Sequence, residues 1–429
     1  MTTGYAPQPL DADVVICGSG VAGLAAANAL GRLGLDVVLL DKKRRQPPIA
    51  KGEVLQPGSL DILQGWDVLR TLEARRAVRI DRLVARRADG AELLAMDFGA
   101  LGGERSWMLS HHYTTILECL GESLGPTVRW RRGVLVDDVI RDPGGRVAGV
   151  RVTEGGATRD IGARLVVAAD GMSSRLRRSA GIAAEPVAYG HRLLTFELPC
   201  PPPVAGEVSA YVTDRGLVMV YPLPEGATRV YVQVTADEMR GGGADRLRRW
   251  TAELVGQVPA LGPLASAIPG GLDRRQLLKV WRYVAASLAR PGIALIGEAA
   301  HSVHPLAAQG MNTAIGDAHA LAARLSGIDF GDGAAVDGAL RGYEDQRMGR
   351  IGDVHAMSHN AARMMTSTSR GGRLLGRRLL SGTARSARLS YLTTYNMSGL
   401  GMRRLGPLDR LFQLGVLPDR RAMPSLAPE

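Results

Sequence analysis

The chain is poor in cysteine: Cys17, Cys119 and Cys200 are the only three in 429 residues, far apart and in no metal or redox spacing. That excludes a disulfide framework and a cysteine-based metal site, and the three read as reduced structural residues of a cytoplasm-like compartment. No run of about 18 apolar residues occurs, so no membrane-spanning helix is expected. The opening MTTGYAPQPLDAD lacks a basic stretch followed by an apolar one, so secretion is not expected and a cytoplasmic location is. The adjacent pair His111-His112, read on a helix over Leu109 to Leu124, would point about 100° apart, which suits one metal ion poorly. No metal is expected.

Acidic residues are scarce in one place only. The net charge is +11, yet from Ala361 to Glu429 twelve arginines face only Asp409, Asp419 and Glu429, so this tail carries +9 of it. The body is nearly balanced, and the arginines come without interleaved aromatics on which bases could stack, so no nucleic-acid partner is expected. The tail reads either as a helical cover with solvated arginines or as a contact to an anionic membrane surface or an acidic carrier protein.

What is present is an apolar fraction of 45%, ordinary for a soluble protein, on a chain long enough for two intertwined domains and an appendage. Asp13 to Cys17 is an apolar strand, followed by Gly18-Ser-Gly20-Val-Ala-Gly23, an alanine-rich helix over Leu24 to Leu33, and a second strand Asp36 to Leu40 closed by Asp41. This is the dinucleotide fingerprint in its required context. Gly18 allows the tight turn, Gly20 lets backbone approach a pyrophosphate, Gly23 lets helix pack on strand, and Asp41 sits where an acid accepts ribose hydroxyls. In the basic-to-helical segment that follows, Lys51 is the candidate phosphate contact.

Further along, Ile161 to Ala169 reads as a buried strand ending in Asp170-Gly171-Met-Ser173-Ser174-Arg-Leu-Arg177, either a second phosphate or ribose contact or a helix N-cap with a solvated arginine. Val128 to Thr153 reads as a ribbon turning at Asp142-Pro-Gly-Gly145, and Val187 to Thr235 as sheet fit for the wall of a cavity. Ile293 to Leu321 reads as strand, turn and helix, the helix opening at Gly310-Met311-Asn312 with free N–H groups and partial positive charge.

Three ordered elements, the glycine fingerprint, DG..S..R at Asp170 to Arg177, and GEAAH...P....GMN....DA..L at Gly297 to Leu321, resemble the FAD-dependent monooxygenases of the para-hydroxybenzoate hydroxylase type over about residues 12 to 345. The resemblance implies an α/β fold, with a Rossmann-like FAD-binding domain (1-75, 108-185 and 280-345) interleaved with a mixed-sheet substrate domain (76-107 and 186-279). A C-terminal helical region (346-429) follows. It implies that Gly18, Gly20, Gly23 and Asp41 hold the ADP half of FAD, and that Asp170 and Gly171 lie near the pyrophosphate and the NAD(P)H approach. Glu298 stands where the family usually has Asp, touching the ribityl or pyrophosphate region. Pro305 lies beside the flavin, and Gly310, Met311 and Asn312 offer N–H groups to its pyrimidine edge. Ala307 and Ala308 replace glycines common in that loop.

GEVLQPG at Gly52 to Gly58, the His111-His112 stretch and His304-Pro305-Leu306 with Gly310-Met311 are similar to the squalene epoxidase branch, although Thr114 stands where that branch tends to have Arg. The activity implied is reduction of FAD by a transiently docked NAD(P)H and use of O2 to hydroxylate or epoxidise an apolar or aromatic small molecule near Pro305, in secondary metabolism. Two readings compete: a flavin-dependent double-bond reductase of the prenyl-reductase type, and a non-catalytic lipid-escort protein of related fold. His304 is the catalytic candidate beside Pro305, donating a hydrogen bond to oxygen or substrate, or else a satisfied wall residue. His301 reads as structural.

Overall fold

A computed structural model describes residues 11–46, 49–238 and 243–423; Glu429 and the first ten residues used above lie outside them. Two sheets divide the molecule. The first is built on β-branched and leucine runs that are buried on both faces, as parallel strands require. Its order is Ala289–Arg290, Ile293–Leu295, Ala157–Ala168, Ala12–Cys17, Val37–Asp41 and Val128–Arg132, parallel except at the Ala289 edge. A ribbon of Val134–Arg141 and Val147–Glu154 turns at Asp142 and extends it through Ala157–Ala168. Helix α1 (Val21–Gly31) fills the first crossover and packs on α2 (Gln309–Leu325).

The second sheet has eight strands, in the order His301–Ser302, Gln276–Val284, Val187–Leu198, Ala227–Val234, Gly216–Leu223, Glu207–Thr213, Arg82–Arg87 and Glu92–Asp97. All its pairs are antiparallel except Glu207–Thr213 with Arg82–Arg87. Alternation sorts its side chains: Val230 and Val232 pack beneath the helix Ala244–Gln257, while Tyr231 and Met219 face the opposite cluster. The chain thus leaves the first sheet three times to build the second, the last time only for His301–Ser302. The boundary expected at 279/280 falls inside the strand Gln276–Val284, and that at 345/346 falls inside α3 (Gly333–Met365), a single 33-residue helix. Helices α4 (Arg370–Arg385) and α5 (Ala387–Ser398) complete the cover on Glu92–Asp97.

One local expectation is corrected. Leu109 to Leu124 is not one helix: Met108–Ser110 is a strand, His112 caps the helix Tyr113–Glu122, and the His111 ring accepts the His112 N–H at 2.8 Å. The paired imidazoles break the helical reading because the ring of the first competes for the backbone of the second. Cys17, Cys119 and Cys200 are all free. Among the described residues, no group of three His, Cys, Asp or Glu is placed to hold a metal ion, and no helix is long and apolar enough to cross a membrane.

Candidate functional site

A cavity of about 600 Å3 runs from the C-terminal end of the first sheet into the face of the second. At the first-sheet end, Gly18 has φ +108° and its N–H donates to Leu40 O at 2.7 Å; a side chain there would meet Ala169 O at 2.3 Å. Gly23 is as tightly held, since a methyl would stand 1.8 Å from Gly18 O. Gly20 is different: a methyl there would come no closer than 3.8 Å to anything, the nearest atom being the Tyr113 hydroxyl, and it would project into the cavity. Asp41 is buried. Its Oδ2 accepts from Ser19 N at 2.8 Å and Ser19 Oγ at 2.6 Å, and its Oδ1 from Lys43 N at 2.7 Å, so the carboxylate is fixed at the cavity edge.

Asp170 Oδ2 accepts from Arg175 N at 2.8 Å, whereas its Oδ1 is buried and meets no partner among the described atoms. A buried carboxylate oxygen left unpaired is costly, so this atom fits a hydroxyl or ordered water brought by a ligand. Gly171, at φ +84°, has nothing within 4 Å of a modest side chain. Ser174 takes the capping alternative, its Oγ accepting from Arg177 N at 2.9 Å, but Arg177 is buried, not solvated: its guanidinium donates inward to Ala299 O at 2.8 Å. Arg175 and Arg178, which the pattern did not single out, line the cavity instead. Lys51 also lines it, but its ammonium lies 2.6 Å from Glu298 Oε2. Burial pulls that ammonium's pKa down; Glu298, by charge and hydrogen bond, more than offsets this and holds it above the ordinary value.

The strand-turn-helix segment closes the seat. Asp317 on α2 is fully buried; its Oδ2 accepts from Gly297 N at 3.0 Å and from His301 Nε2 at 2.7 Å, and Arg347 donates to Oδ1 at 2.7 and 3.0 Å. Burial opposes its ionisation, but His301 and Arg347 outweigh burial and hold the carboxyl down at about 2. His301 is therefore a brace behind the loop. The helix begins at Gln309, one residue before the expected start, because Ala308 takes a left-handed conformation at φ +49°. Gly310 and Met311 line the cavity, and the amides of this first turn precede the first intrahelical bond. Asn312 does not line it. Its side chain braces the seat from behind, donating to Val54 O at 2.9 Å and accepting from Gln56 N at 2.9 Å.

Pro305 lines the cavity; His304 does not. His304 is fully buried, its Nδ1 accepts from Leu306 N at 3.2 Å, and its Nε2 lies 3.0 Å from His191 Nε2. The first bond makes Nδ1 the acceptor, so Nε2 carries the proton and gives it to His191. Burial first, then His191 and His359, push its pKa down to about 3. The expectation of a His304 side chain facing a reacting group is corrected on this geometry: the backbone turns the ring away from Pro305's side of the loop and into a cluster with Tyr189 and His191.

The second-sheet end is a mostly apolar chamber walled by Val54, Leu83, Met108, Val208, Met219 and Leu306. Glu53, Tyr221 and Tyr231 are its polar points. Glu53 carries a bidentate bond from Arg229, at 2.8 and 2.8 Å, and one from the Tyr221 hydroxyl at 2.9 Å. Sequence reasoning missed these residues; a lone acid in GEVLQPG gives no sign of partners on strands far along the chain.

These features suit FAD: a turn opened by glycine, a fixed acid, an unpaired carboxylate oxygen and free helix amides along one cavity. Comparison with known proteins agrees. The family model described as FAD binding domain matches residues 11–358. The chain is 30% identical over 332 residues to 6-methylpretetramide 4-monooxygenase of Streptomyces rimosus, covering 74% of this chain and 76% of that one. It is 26% identical over 341 residues to squalene monooxygenase of Mus musculus, covering 78% of this chain; it spans 58% of the length of that relative. Among solved structures, PqsL of Pseudomonas aeruginosa, described as a probable FAD-dependent monooxygenase, superposes with a TM-score of 0.74 at 25% identity, over 85% of this chain and 99% of that one.

Proposed function

This chain belongs to the family of FAD-binding flavoprotein monooxygenases, and on that premise we propose that it uses NAD(P)H and O2 to oxygenate an apolar or aromatic small molecule. The observation that carries the proposal is the continuity of one cavity from the glycine turn at Gly18 to the chamber between the two sheets. FAD, when bound, supplies the redox chemistry that activates O2. The chain supplies the rest. Gly20 would leave backbone room for a pyrophosphate, Asp41 and Asp170 would accept hydroxyls, and the N–H groups of Gly310 and Met311, with the positive end of α2, would favour negative charge on the cofactor. Pro305 and the aliphatic wall orient the substrate and exclude water. His304 acts through position: it caps Leu306 and fixes the loop.

Denaturation of the purified protein should release FAD, and a compound screen should find molecules that accelerate NAD(P)H oxidation and gain one oxygen by mass spectrometry. A colourless protein, or stimulated oxidation without an oxygenated product, overturns the proposal; a product with a reduced double bond and no oxygen consumption instead identifies a reductase.

A second reading concerns the tail. Leu374, Leu375, Leu408, Leu411, Val416 and Leu417 are exposed beside arginines of α4 and its neighbours. Exposed leucines flanked by arginines suit the surface of an anionic membrane. Sedimentation with vesicles of phosphatidylserine but not of phosphatidylcholine, lost on joint Leu374→Ser and Leu375→Ser substitution, is expected; sedimentation unaffected by these changes refutes it.

A further inference from the structure

The chamber's polar point has a definite sense. Glu53 is 2% exposed and Arg229 7%, so this ion pair is out of water, and its fork geometry is the arrangement that makes burial tolerable. Arg229 Nη2 also donates to Glu197 at 3.0 Å. One guanidinium thus serves two carboxylates and has no charge left over for a third anion. The Tyr221 hydroxyl has one proton, and Glu53 takes it at 2.9 Å. With that proton engaged, the Tyr221 oxygen is left as an acceptor, which it shares with the neighbouring Tyr231 hydroxyl. Its ring is fixed as well, stacked at 6.2 Å on Tyr231, which also lines the cavity.

The network does not lead a proton outward. Beyond Arg229 lies Glu197, 3.3 Å from His112 at the surface, but a guanidinium does not give up its proton, so any relay ends at Glu53. The role left to these residues is recognition. Lys42, Lys43, Arg175 and Arg178 lie along the cavity at the glycine-turn end, and Lys51 is paired to Glu298. Among the described residues, then, the chamber end holds an acceptor and a buried carboxylate whose guanidinium partner is fully engaged, without a cation left to bind an anion.

We propose that Tyr221, oriented by Glu53 and Arg229, is the substrate-selecting subsite, which takes a hydroxyl or N–H donor on a neutral aromatic substrate and rejects free carboxylates. A site built to bond a donor discriminates against analogues lacking it, and a carboxylate brought into the chamber meets a cluster in which one guanidinium already serves two carboxylates, Glu53 and Glu197, with no cation free to pair it. The proposal rests on reading the cavity as a substrate chamber beside FAD.

Equilibrium dialysis of the purified holoprotein against naphthalene, 2-naphthol and 2-naphthoate tests it without turnover. The naphthol should bind about ten-fold tighter than either of the others, the worth of one buried hydrogen bond. Tyr221→Phe should erase the difference between naphthol and naphthalene while leaving naphthalene affinity within about two-fold; Tyr231→Phe, which spares the bond to Glu53, should keep the preference. Preference for naphthoate, equal binding of naphthol and naphthalene, binding by none of the three, or a preference that survives in Tyr221→Phe overturns the assignment. FAD content measured on the same samples separates the two readings: a colourless protein with the naphthol preference sinks the flavin and keeps the subsite, and a yellow protein without it does the reverse.

Discussion

Lys51 Nζ and Glu298 Oε2 meet at 2.6 Å across 247 positions of sequence, tying the segment after the second strand to the turn before α2. Both side chains stay partly exposed, and both line the cavity. The pair is therefore a contact that an anionic ligand can compete for, made by a side chain one methylene longer than the Asp expected at 298.

Glu298→Gln should free Lys51 for the pyrophosphate and remove a repelling charge. An exposed pair is worth ~0.5–1 kcal/mol, so FAD should bind about two- to five-fold tighter to the variant and weaker by a similar factor to Lys51→Ala, with both effects shrinking at high salt. Titration of apoprotein with FAD by fluorescence checks this. Weaker binding by Glu298→Gln would show that Glu298 instead holds ligand hydroxyls.

The glycines of the first turn should separate folding from binding. A methyl at Gly20 meets open cavity, whereas one at Gly23 stands 1.8 Å from Gly18 O. Gly20→Ala should fold with an unchanged thermal midpoint yet lose at least ten-fold in FAD affinity, because its methyl takes pyrophosphate space. Gly23→Ala should fail to accumulate as folded protein. Circular dichroism and FAD content, read together, distinguish the two.

The contrast also marks what was legible in the sequence. Gly18, Gly20, Gly23 and Asp41 lie within one βαβ unit, so their spacing alone fixes their arrangement. Pro305 and His304 are neighbours in sequence, yet one lines the cavity and the other points away, because an irregular turn has no period from which to read side-chain direction. Glu53 and Arg229 are 176 positions apart, and only the second sheet brings them together. Ala308 shows a third limit: an alanine gives no local sign that the fold holds it in a left-handed conformation.

Asp317 should be the costliest single carboxylate to remove from the seat. Asp317→Asn leaves Arg347 and His301 facing a neutral group inside the protein, a loss of roughly 3–5 kcal/mol. Its carboxyl titrates at about 2 when folded and near ~4 when unfolded. The folded state therefore binds fewer protons in that window. Its contribution, roughly 2.5 kcal/mol, is whole above pH ~4 and fades as pH falls toward 2. Urea unfolding at pH 5 and pH 3 should show a smaller acid loss in Asp317→Asn than in the unsubstituted protein.

His304 should govern a different pH window. Its imidazole is held at about 3 by burial and by His191 and His359, against ~6.5 in the unfolded chain. Between those values the unfolded state binds the extra proton, so stability rises with pH through the window and levels above ~6.5. Each pH unit below that level removes roughly 1.4 kcal/mol on account of His304 alone. His191, His355 and His359 are also shifted down, burial first, and steepen the fall. His304→Asn can still accept from Leu306 N, so it should fold, with a thermal midpoint that depends less on pH between 6.5 and 5. Flavin turnover should separate position from catalysis: a buried brace predicts a modest loss with an unshifted pH–rate profile, whereas disappearance of an ionisation from that profile would return His304 to the reacting site.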